Sequence, residues 1–121
     1  MKDSPAQISG YYDQSGRCRL NTLKGFFLQD IDKILYVTAS GNYSVIHLVS
    51  GDERLITYTI SYVQSLLEKY GFKRIGRSKM INLNYLSHVD RQRSICLMEP
   101  PSGRVEISIS QRHIKELSLM F

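Results

Sequence analysis

Residues 72–82 read FKRIGRSKMIN, and this basic stretch is the most informative part of the chain. Four cations fall within seven residues: Lys73, Arg74, Arg77 and Lys79. Apolar residues that a core can take are interleaved with them: Phe72, Ile75, Met80 and Ile81. A basic loop pinned to a folded body in this way holds cations against a polyanion. The stretch therefore predicts a nucleic-acid partner.

The charge of the chain is one-sided. Residues 1–71 carry seven Lys or Arg against seven Asp or Glu, whereas residues 72–121 carry nine against four. The net charge of +5 thus lies entirely in the last fifty residues. Such a distribution is an argument about the binding partners of the protein and not about its fold. An ordinary solvated basic face is the alternative interpretation of the same pattern.

Length and cysteine content indicate one domain in a reducing compartment. A chain of 121 residues can close a single core. Cys18 and Cys96 lie in no metal-ligand spacing and are interpreted as reduced thiols, although the sequence leaves a disulfide between them open. No apolar run approaches the roughly 18 residues needed to span a bilayer, and the N-terminus lacks the apolar region of a signal peptide. We therefore expect a cytoplasmic protein with no membrane segment.

The chain divides by composition near residue 25. Residues 1–24 are polar and are predicted to form an N-terminal arm or linker, either following another domain or as a short tail, with the folded domain at 25–121. Strands are predicted at residues 26–28, 33–37, 43–49, 54–58, 94–98 and 104–110. The last of these alternates cleanly, with Val105, Ile107 and Ile109 on one face.

Two segments break the strand pattern. Residues 61–70 open with a capping-box spacing at Ser61 and place apolar residues at helical intervals, which predicts a short helix that Gly71 ends. Ser110 is a plausible N-cap for a C-terminal helical segment at about residues 111–119. This would put Arg112 in a first turn, beside backbone N–H groups that can receive a phosphate. The fold class predicted is therefore mainly β, with little helix.

Catalytic and metal-binding patterns are not found in the sequence. It contains no glycine-rich phosphate loop, no nucleophile elbow and no carboxylate pair at a useful spacing. His47, His88 and His113 match no metal spacing, and His47 is interpreted as a sheet residue. We therefore expect neither an enzyme nor a bound cofactor.

Five segments occur in an order that resembles the LytTR family of DNA-binding domains, the output modules of many bacterial response regulators in two-component systems. They are residues 31–37 (IDKILYV), 40–43 (SGNY), 59–70, the basic stretch 72–82 and the closing 109–112 (ISQR). The resemblance covers about residues 26–119, and five segments in order are much more specific than any one of them. Many members carry histidine where this chain has Gly76.

The resemblance implies small antiparallel β-sheets in an elongated arrangement and loops inserted into successive major grooves of duplex DNA. Three segments should then face DNA: the turn at 41–43, the loop at 77–79 and the segment at 110–112. The residues expected to bind DNA are Asn42, Tyr43, Lys73, Arg77, Ser78, Lys79, Ser110, Gln111 and Arg112.

Individual roles follow from side-chain chemistry. Arg77 can pair with guanine and Asn42 with adenine, whereas lysines and serines suit phosphates. Each has a structural alternative: Asn42 could supply a turn residue with positive φ, and the ring of Tyr43 could belong to the core. Arg112 could form an ion pair with Glu116. Asn82 is predicted to bond backbone at the loop exit.

The predicted function is sequence-specific duplex-DNA binding by a transcriptional regulator. Two copies on a direct repeat, hence a homodimer on DNA, are expected because one small module buries little surface. The family usually follows a receiver domain or a membrane segment, so a receiver or a sensor kinase is the expected upstream partner unless the module works alone. The alternative is a protein-interaction module of a signalling system whose basic loop binds an acidic partner. RNA binding is disfavoured because no aromatic RNP-like strand is present.

Overall fold

The computed structural model describes residues 16–121, which form ten strands and two α-helices. The strands are β1 (Arg17–Thr22), β2 (Gly25–Asp30), β3 (Ile34–Ser40), β4 (Tyr43–Leu48), β5 (Glu53–Ile56), β6 (Phe72–Arg74), β7 (Lys79–Asn82), β8 (Leu86–Asp90), β9 (Ile95–Met98) and β10 (Val105–Ser108). The helices are α1 (Ile60–Leu67) and α2 (Gln111–Met120). This mainly β architecture confirms the predicted fold class.

Three antiparallel sheets organise the described residues. The central sheet has the order β5-β4-β3-β7-β6, β1 and β2 form a hairpin, and the third sheet has the order β10-β9-β8. In the central sheet β3 lies between β4 and β7, pairing Thr38 with Val45 on one side and with Lys79 on the other. The two hairpins that flank β3 therefore turn at the same end of the sheet.

The core consists of two apolar clusters on opposite faces of the central sheet. One face, with Val37, Ile46 and Met80, packs against α1 and the β1–β2 hairpin. The other face, with Leu35 and Ile81, packs against the third sheet and α2. Adjacent residues Met80 and Ile81 point to opposite faces, as pleating requires, so β7 is buried on both sides.

Helix α1 begins earlier than predicted. Its N-cap is Thr59, whose hydroxyl accepts a hydrogen bond from the Tyr62 N–H at 3.2 Å, and Ser61 is not the cap. Starting at Ile60 buries that side chain in the first turn, which a start at Ser61 would leave outside the helix. The α-helix ends at Leu67, and residues 68–70 continue as a 3-10 turn up to Gly71, whose φ of +90° stops it. Helix α2 begins after Ser110, as predicted.

The folded part begins before the predicted boundary at residue 25. Strand β1 pairs with β2 along its whole length, and Cys18 and Leu20 lie fully in the core. The backbone N–H of Asn21 also donates to the Tyr58 hydroxyl at 3.3 Å. Residues 17–24 are thus not an arm, whereas residues 1–15, the rest of that prediction, lie outside the described residues. Within 16–121, no helix is long and apolar enough to cross a membrane.

Candidate nucleic-acid interface

The predicted DNA-facing turn and loop lie side by side at one end of the central sheet. The turn at residues 41–42 joins β3 to β4, and the loop at residues 75–78 joins β6 to β7. The backbone N–H of Ala39 donates to the Ser78 carbonyl at 2.9 Å, which extends the β3–β7 pairing up to the loop. Two segments that are 34 residues apart in sequence, measured from Asn42 to Gly76, therefore form one edge.

The β3–β4 turn presents Asn42 to solvent. Gly41 has φ +62°, whereas Asn42 does not have positive φ, as in a type II′ hairpin with glycine in its first central position. The alternative role of Asn42 as the positive-φ residue is therefore wrong. Its side chain is exposed and makes no hydrogen bond to any residue of 16–121. The neighbouring Tyr43 is 37% exposed, so its ring belongs to the surface and not to the core.

Arg74 holds the β6–β7 loop from the inside. Its guanidinium donates to the carbonyl of Gly76 at 2.7 Å and to that of Arg77 at 2.5 Å. A third hydrogen bond, at 2.9 Å, goes to the side-chain oxygen of Gln64 on α1. The planar fork of arginine suits such simultaneous contacts. Arg74, one of the four cations of the basic stretch, is thus a support for the loop and a link to α1.

With its backbone held, the loop exposes Arg77 and Ser78. Ile75 anchors it in the core at 3% exposure, and its N–H donates to the Lys79 carbonyl at 3.0 Å. Neither the guanidinium of Arg77 nor the hydroxyl of Ser78 bonds to any other residue of the described part of the chain. A free guanidinium on a fixed backbone is suited to paired hydrogen bonding with an external acceptor.

The start of α2 lies next to this loop. The ammonium of Lys79 donates to the Ser108 carbonyl at 3.1 Å, which joins the central sheet to the end of β10. Ser110 follows and caps α2, accepting from the His113 N–H at 3.3 Å. Gly76, Lys79, Ser110 and His113 line one open depression between the loop and the helix. The third predicted segment is therefore adjacent to the second.

Gln111 and Ser110 are already engaged in local contacts. The amide nitrogen of Gln111 donates to the Arg91 carbonyl at 2.8 Å and to the Ser94 hydroxyl at 2.7 Å, which fixes the β8–β9 turn to α2. The Ser110 hydroxyl also lies 2.7 Å from Nδ1 of His113. Any DNA contact of Gln111 would therefore use its remaining amide oxygen.

A shared carboxylate ties two further candidates together. Glu116 lies 3.7 Å from the ammonium of Lys73 and 3.9 Å from Nε of Arg112. The Arg112–Glu116 pair, which was the structural alternative for Arg112, is thus present, but the side chain of Arg112 is 83% exposed. Exposed pairs of this kind are worth about 0–1 kcal/mol, so Arg112 can turn to a phosphate at little cost, whereas Lys73 is half-buried.

Asn82 and His47 are structural, as predicted. The amide of Asn82, 1% exposed, donates to the Ile34 carbonyl at 2.9 Å and accepts from the Asn84 N–H at 3.0 Å. The ring of His47 stacks on Tyr36 at 4.0 Å and lies 3.4 Å from Glu53. Burial lowers the pKa of His47, with Glu53 acting in the opposite direction.

The two thiols are free and buried. Cys18 and Cys96 are free and buried in different clusters, so the disulfide left open by the sequence is not formed. Burial raises the pKa of Cys18 to about 12 and that of Cys96 to about 11. Both remain neutral thiols at physiological pH, which disfavours nucleophilic or metal chemistry. Among residues 16–121, no group of three or more His, Cys, Asp or Glu could hold a metal ion.

Sequence reasoning missed two features of this region. The supporting role of Arg74 depends on backbone carbonyls and on α1, which leave no sequence signature. The β8–β9 turn carries Arg91 and Arg93, and Arg93 lines the same depression as Lys79 and Ser110. The charge excess after residue 72 was the available signal for this turn.

Comparisons with known proteins identify a family and a similar fold. The family model described as the LytTr DNA-binding domain matches residues 24–121. Among solved structures, a similar one is the LytTr DNA-binding domain of a protein described as a methyl-accepting/DNA response regulator from Bacillus cereus. That likeness has a TM-score of 0.65 at 21% sequence identity and covers 87% of this chain and 95% of the other. A search of curated proteins found no match.

Proposed function

Because this chain belongs to the LytTR family of DNA-binding domains, which makes it a DNA-binding module of transcription regulation, we propose that it reads a specific duplex sequence as the output domain of a bacterial response regulator. The site of action would be the cytoplasm, with a receiver domain or a sensor kinase upstream. The similar Bacillus cereus domain, from a protein described as a response regulator, supports this assignment.

The observation that carries the proposal is the adjacency of the three segments. Backbone pairing joins the β3–β4 turn to the β6–β7 loop, and the Lys79–Ser108 contact joins that loop to the start of α2. Each segment carries at least one exposed polar or cationic residue: Asn42, Arg77 and Arg112. Such a row can follow one side of a double helix and enter successive major grooves.

Roles within the row differ with side-chain chemistry. Arg77 would pair with guanine O6 and N7, and Asn42 with adenine N6 and N7. Lys73, Lys79 and Arg112 would bind phosphates as cations.

Contacts without charge would come from hydroxyls, a ring and an amide. Ser78 and Ser110 would meet phosphate oxygens, Tyr43 would pack against the sugar-phosphate backbone beside Asn42, and Gln111 would use its amide oxygen.

Two copies on a direct repeat would raise affinity. A single small module buries limited surface on DNA, and a second bound nearby multiplies affinity through effective concentration. On a direct repeat, the two copies would bind in the same orientation along the duplex. A homodimer would then form on the operator.

Selection from a random duplex pool tests the proposal. We expect enrichment of a motif present twice in the same orientation, and binding of that duplex with a log K against log salt slope near −0.9 for each phosphate neutralised. Failure to enrich any motif would refute sequence-specific binding. A shallow salt slope combined with tighter binding to an acidic protein would favour an interaction module instead.

A further inference from the structure

The β8–β9 turn carries an unassigned pair of arginines beside the proposed interface. Residues 91–94 read RQRS, and Arg91 and Arg93 are both exposed. None of the five segments on which the family resemblance was based includes these residues, and the role proposed above does not use them. The turn is nevertheless part of the same basic half of the chain.

Strand pairing places this turn at the same end as the start of α2. Asp90 and Ser108 both pair with Ile95, so β8 and β10 finish at the same end of the third sheet. The Ile109 N–H donates to the Ser94 carbonyl at 3.0 Å, which extends the pairing at this end of the sheet towards Ser110, the N-cap of α2. Arg93 therefore faces the depression that Lys79 also lines.

The turn is pre-formed. The carboxylate of Asp90 accepts from the Arg93 N–H at 3.0 Å, and Ser94 is held at φ +55°. The side chain of Gln111 then fixes the turn to α2 through the two hydrogen bonds described above. A turn held in this way presents its cations at a fixed distance from the start of α2, so little conformational entropy of the turn is lost on binding.

The present partners of the two arginines are weak competitors. Arg93 pairs with Glu106 at 3.0 Å, and the two side chains are 59% and 49% exposed, respectively. Arg91 donates to the Ser118 hydroxyl at 3.0 Å. Exposed contacts of this kind contribute little to stability and yield readily to a phosphate, which offers a full opposing charge.

We propose that the β8–β9 turn is a further DNA-contacting segment, in which Arg91 and Arg93 bind backbone phosphates beside the groove entered by the start of α2. This inference rests on the proposed function, because it assigns the turn to the same duplex. The turn fixes the position of the domain on DNA and reads no base. Glu106 is then a restraint on Arg93 that must be released when the complex forms.

The test compares charge-matched variants of the whole chain on the selected duplex and on a scrambled one. We expect Arg93→Gln to weaken both complexes by the same factor and to reduce the salt slope by about 0.9, which corresponds to about eightfold at 0.1 M salt. The double variant with Arg91→Gln should double the change in slope. Arg104→Gln is the control, since Arg104 forms a similar exposed pair with Glu99 at the opposite end of the same sheet.

The acidic partner gives a test that loss of folding cannot imitate. Glu106→Gln should tighten binding to both duplexes because it frees Arg93, whereas Glu99→Gln should have a much smaller effect. Equal effects of the two acidic variants would overturn the proposal. The proposal would also be overturned if the double arginine variant kept the affinity and the salt slope of the unmodified protein, provided that the unmodified protein recognises the selected site.

The remaining outcomes separate this inference from the function on which it rests. A loss confined to the selected duplex would overturn the phosphate assignment, because a phosphate contact acts on all sequences alike. If the unmodified protein binds no duplex, the proposed function and this inference both fail. If it binds its site and the turn variants match the Arg104 control, only this inference fails.

Discussion

Replacing Arg74 with lysine should loosen the β6–β7 loop without changing the net charge of the chain. The guanidinium makes three short hydrogen bonds at once, to the carbonyls of Gly76 and Arg77 and to the side chain of Gln64, and a fourth, at 3.5 Å, to the Ser61 hydroxyl. A lysine ammonium at the same position is a single point and cannot span these acceptors. Two of the three short contacts should therefore be lost while the cation is kept.

The size of the effect follows from the contacts removed. A net value of about 1 kcal/mol for each hydrogen bond gives a loss of about 2 kcal/mol in the ordering of the loop. Fixing the backbone of two residues again on binding costs at least as much, at about 1–2 kcal/mol for each residue. We therefore expect the Kd for the selected duplex to rise about 30-fold.

Fluorescence anisotropy titrations of Arg74→Lys on selected and scrambled duplexes would measure this effect. Binding to the scrambled duplex should change little, because all cations remain, so the ratio of the two affinities should fall. Gln64→Leu removes one contact only and should cost about 1 kcal/mol, or about fivefold. Arg104→Lys is the matched control, since that arginine makes a single exposed contact with Glu99 at 3.2 Å.

Two results would refute this reasoning. If Arg74→Lys binds the selected duplex as tightly as the unmodified protein, the loop does not need its support. If affinity falls equally on both duplexes, Arg74 contacts phosphate directly and does not act through Arg77. Amide hydrogen exchange in residues 76–78 gives an independent check, because it should accelerate only if the loop opens.

Three further predictions concern the same surface and its support. Arg77→Ala should weaken binding to the selected duplex by about 1–3 kcal/mol and relax discrimination at one base pair, whereas Lys73→Ala should weaken binding to all duplex sequences alike. Equal losses of affinity for both variants on both duplexes would contradict this difference in roles. Gly41→Ala should destabilise the fold because φ of residue 41 is +62°. Gly76→Ala should instead stabilise it by about 0.4–1 kcal/mol, because φ of residue 76 is not positive and no atom lies within 4 Å of the added Cβ. Thermal unfolding of the two variants would measure the sign of each change in stability. Asn82→Ala should lower the free energy of unfolding by about 1–3 kcal/mol in urea titrations, because the Ile34 carbonyl loses its buried donor, and an unchanged midpoint would exclude that role.

Strands with alternating or β-branched residues were predictable from sequence. β4, β9 and β10 lie within predicted strands, and β5 begins one residue before the predicted start at Arg54. These segments are rich in apolar and β-branched residues, which favour strands. β1, with the sequence RCRLNT, was missed since only Cys18 and Leu20 contribute to the core, and polar residues occupy its other face. β6 and β7 were hidden in the basic stretch, where the cations dominated the interpretation.

The candidate site was predictable as a set of segments but not as a set of contacts. Family order indicated which three segments to compare, and pairing of β3 with β7 brings two of them together. No local pattern distinguishes Arg77, which is free, from Arg74, which is committed to backbone carbonyls three residues or fewer away. Nor could the sequence show that Glu116 neighbours both Lys73 and Arg112, since this depends on where α2 lies relative to Lys73 of β6.

The pairing of β1 with β2 determines where this module can be cut or joined. A shortened protein that begins at Gly25 would lack the core residues Cys18 and Leu20, and β2 would lose the strand with which it pairs. The unpaired β2 would also expose its edge next to Phe26 and Leu28, already 56% and 42% exposed, and such edges promote aggregation. Engineered fusions should therefore be attached before residue 16, although composition alone suggests residue 25 as the junction.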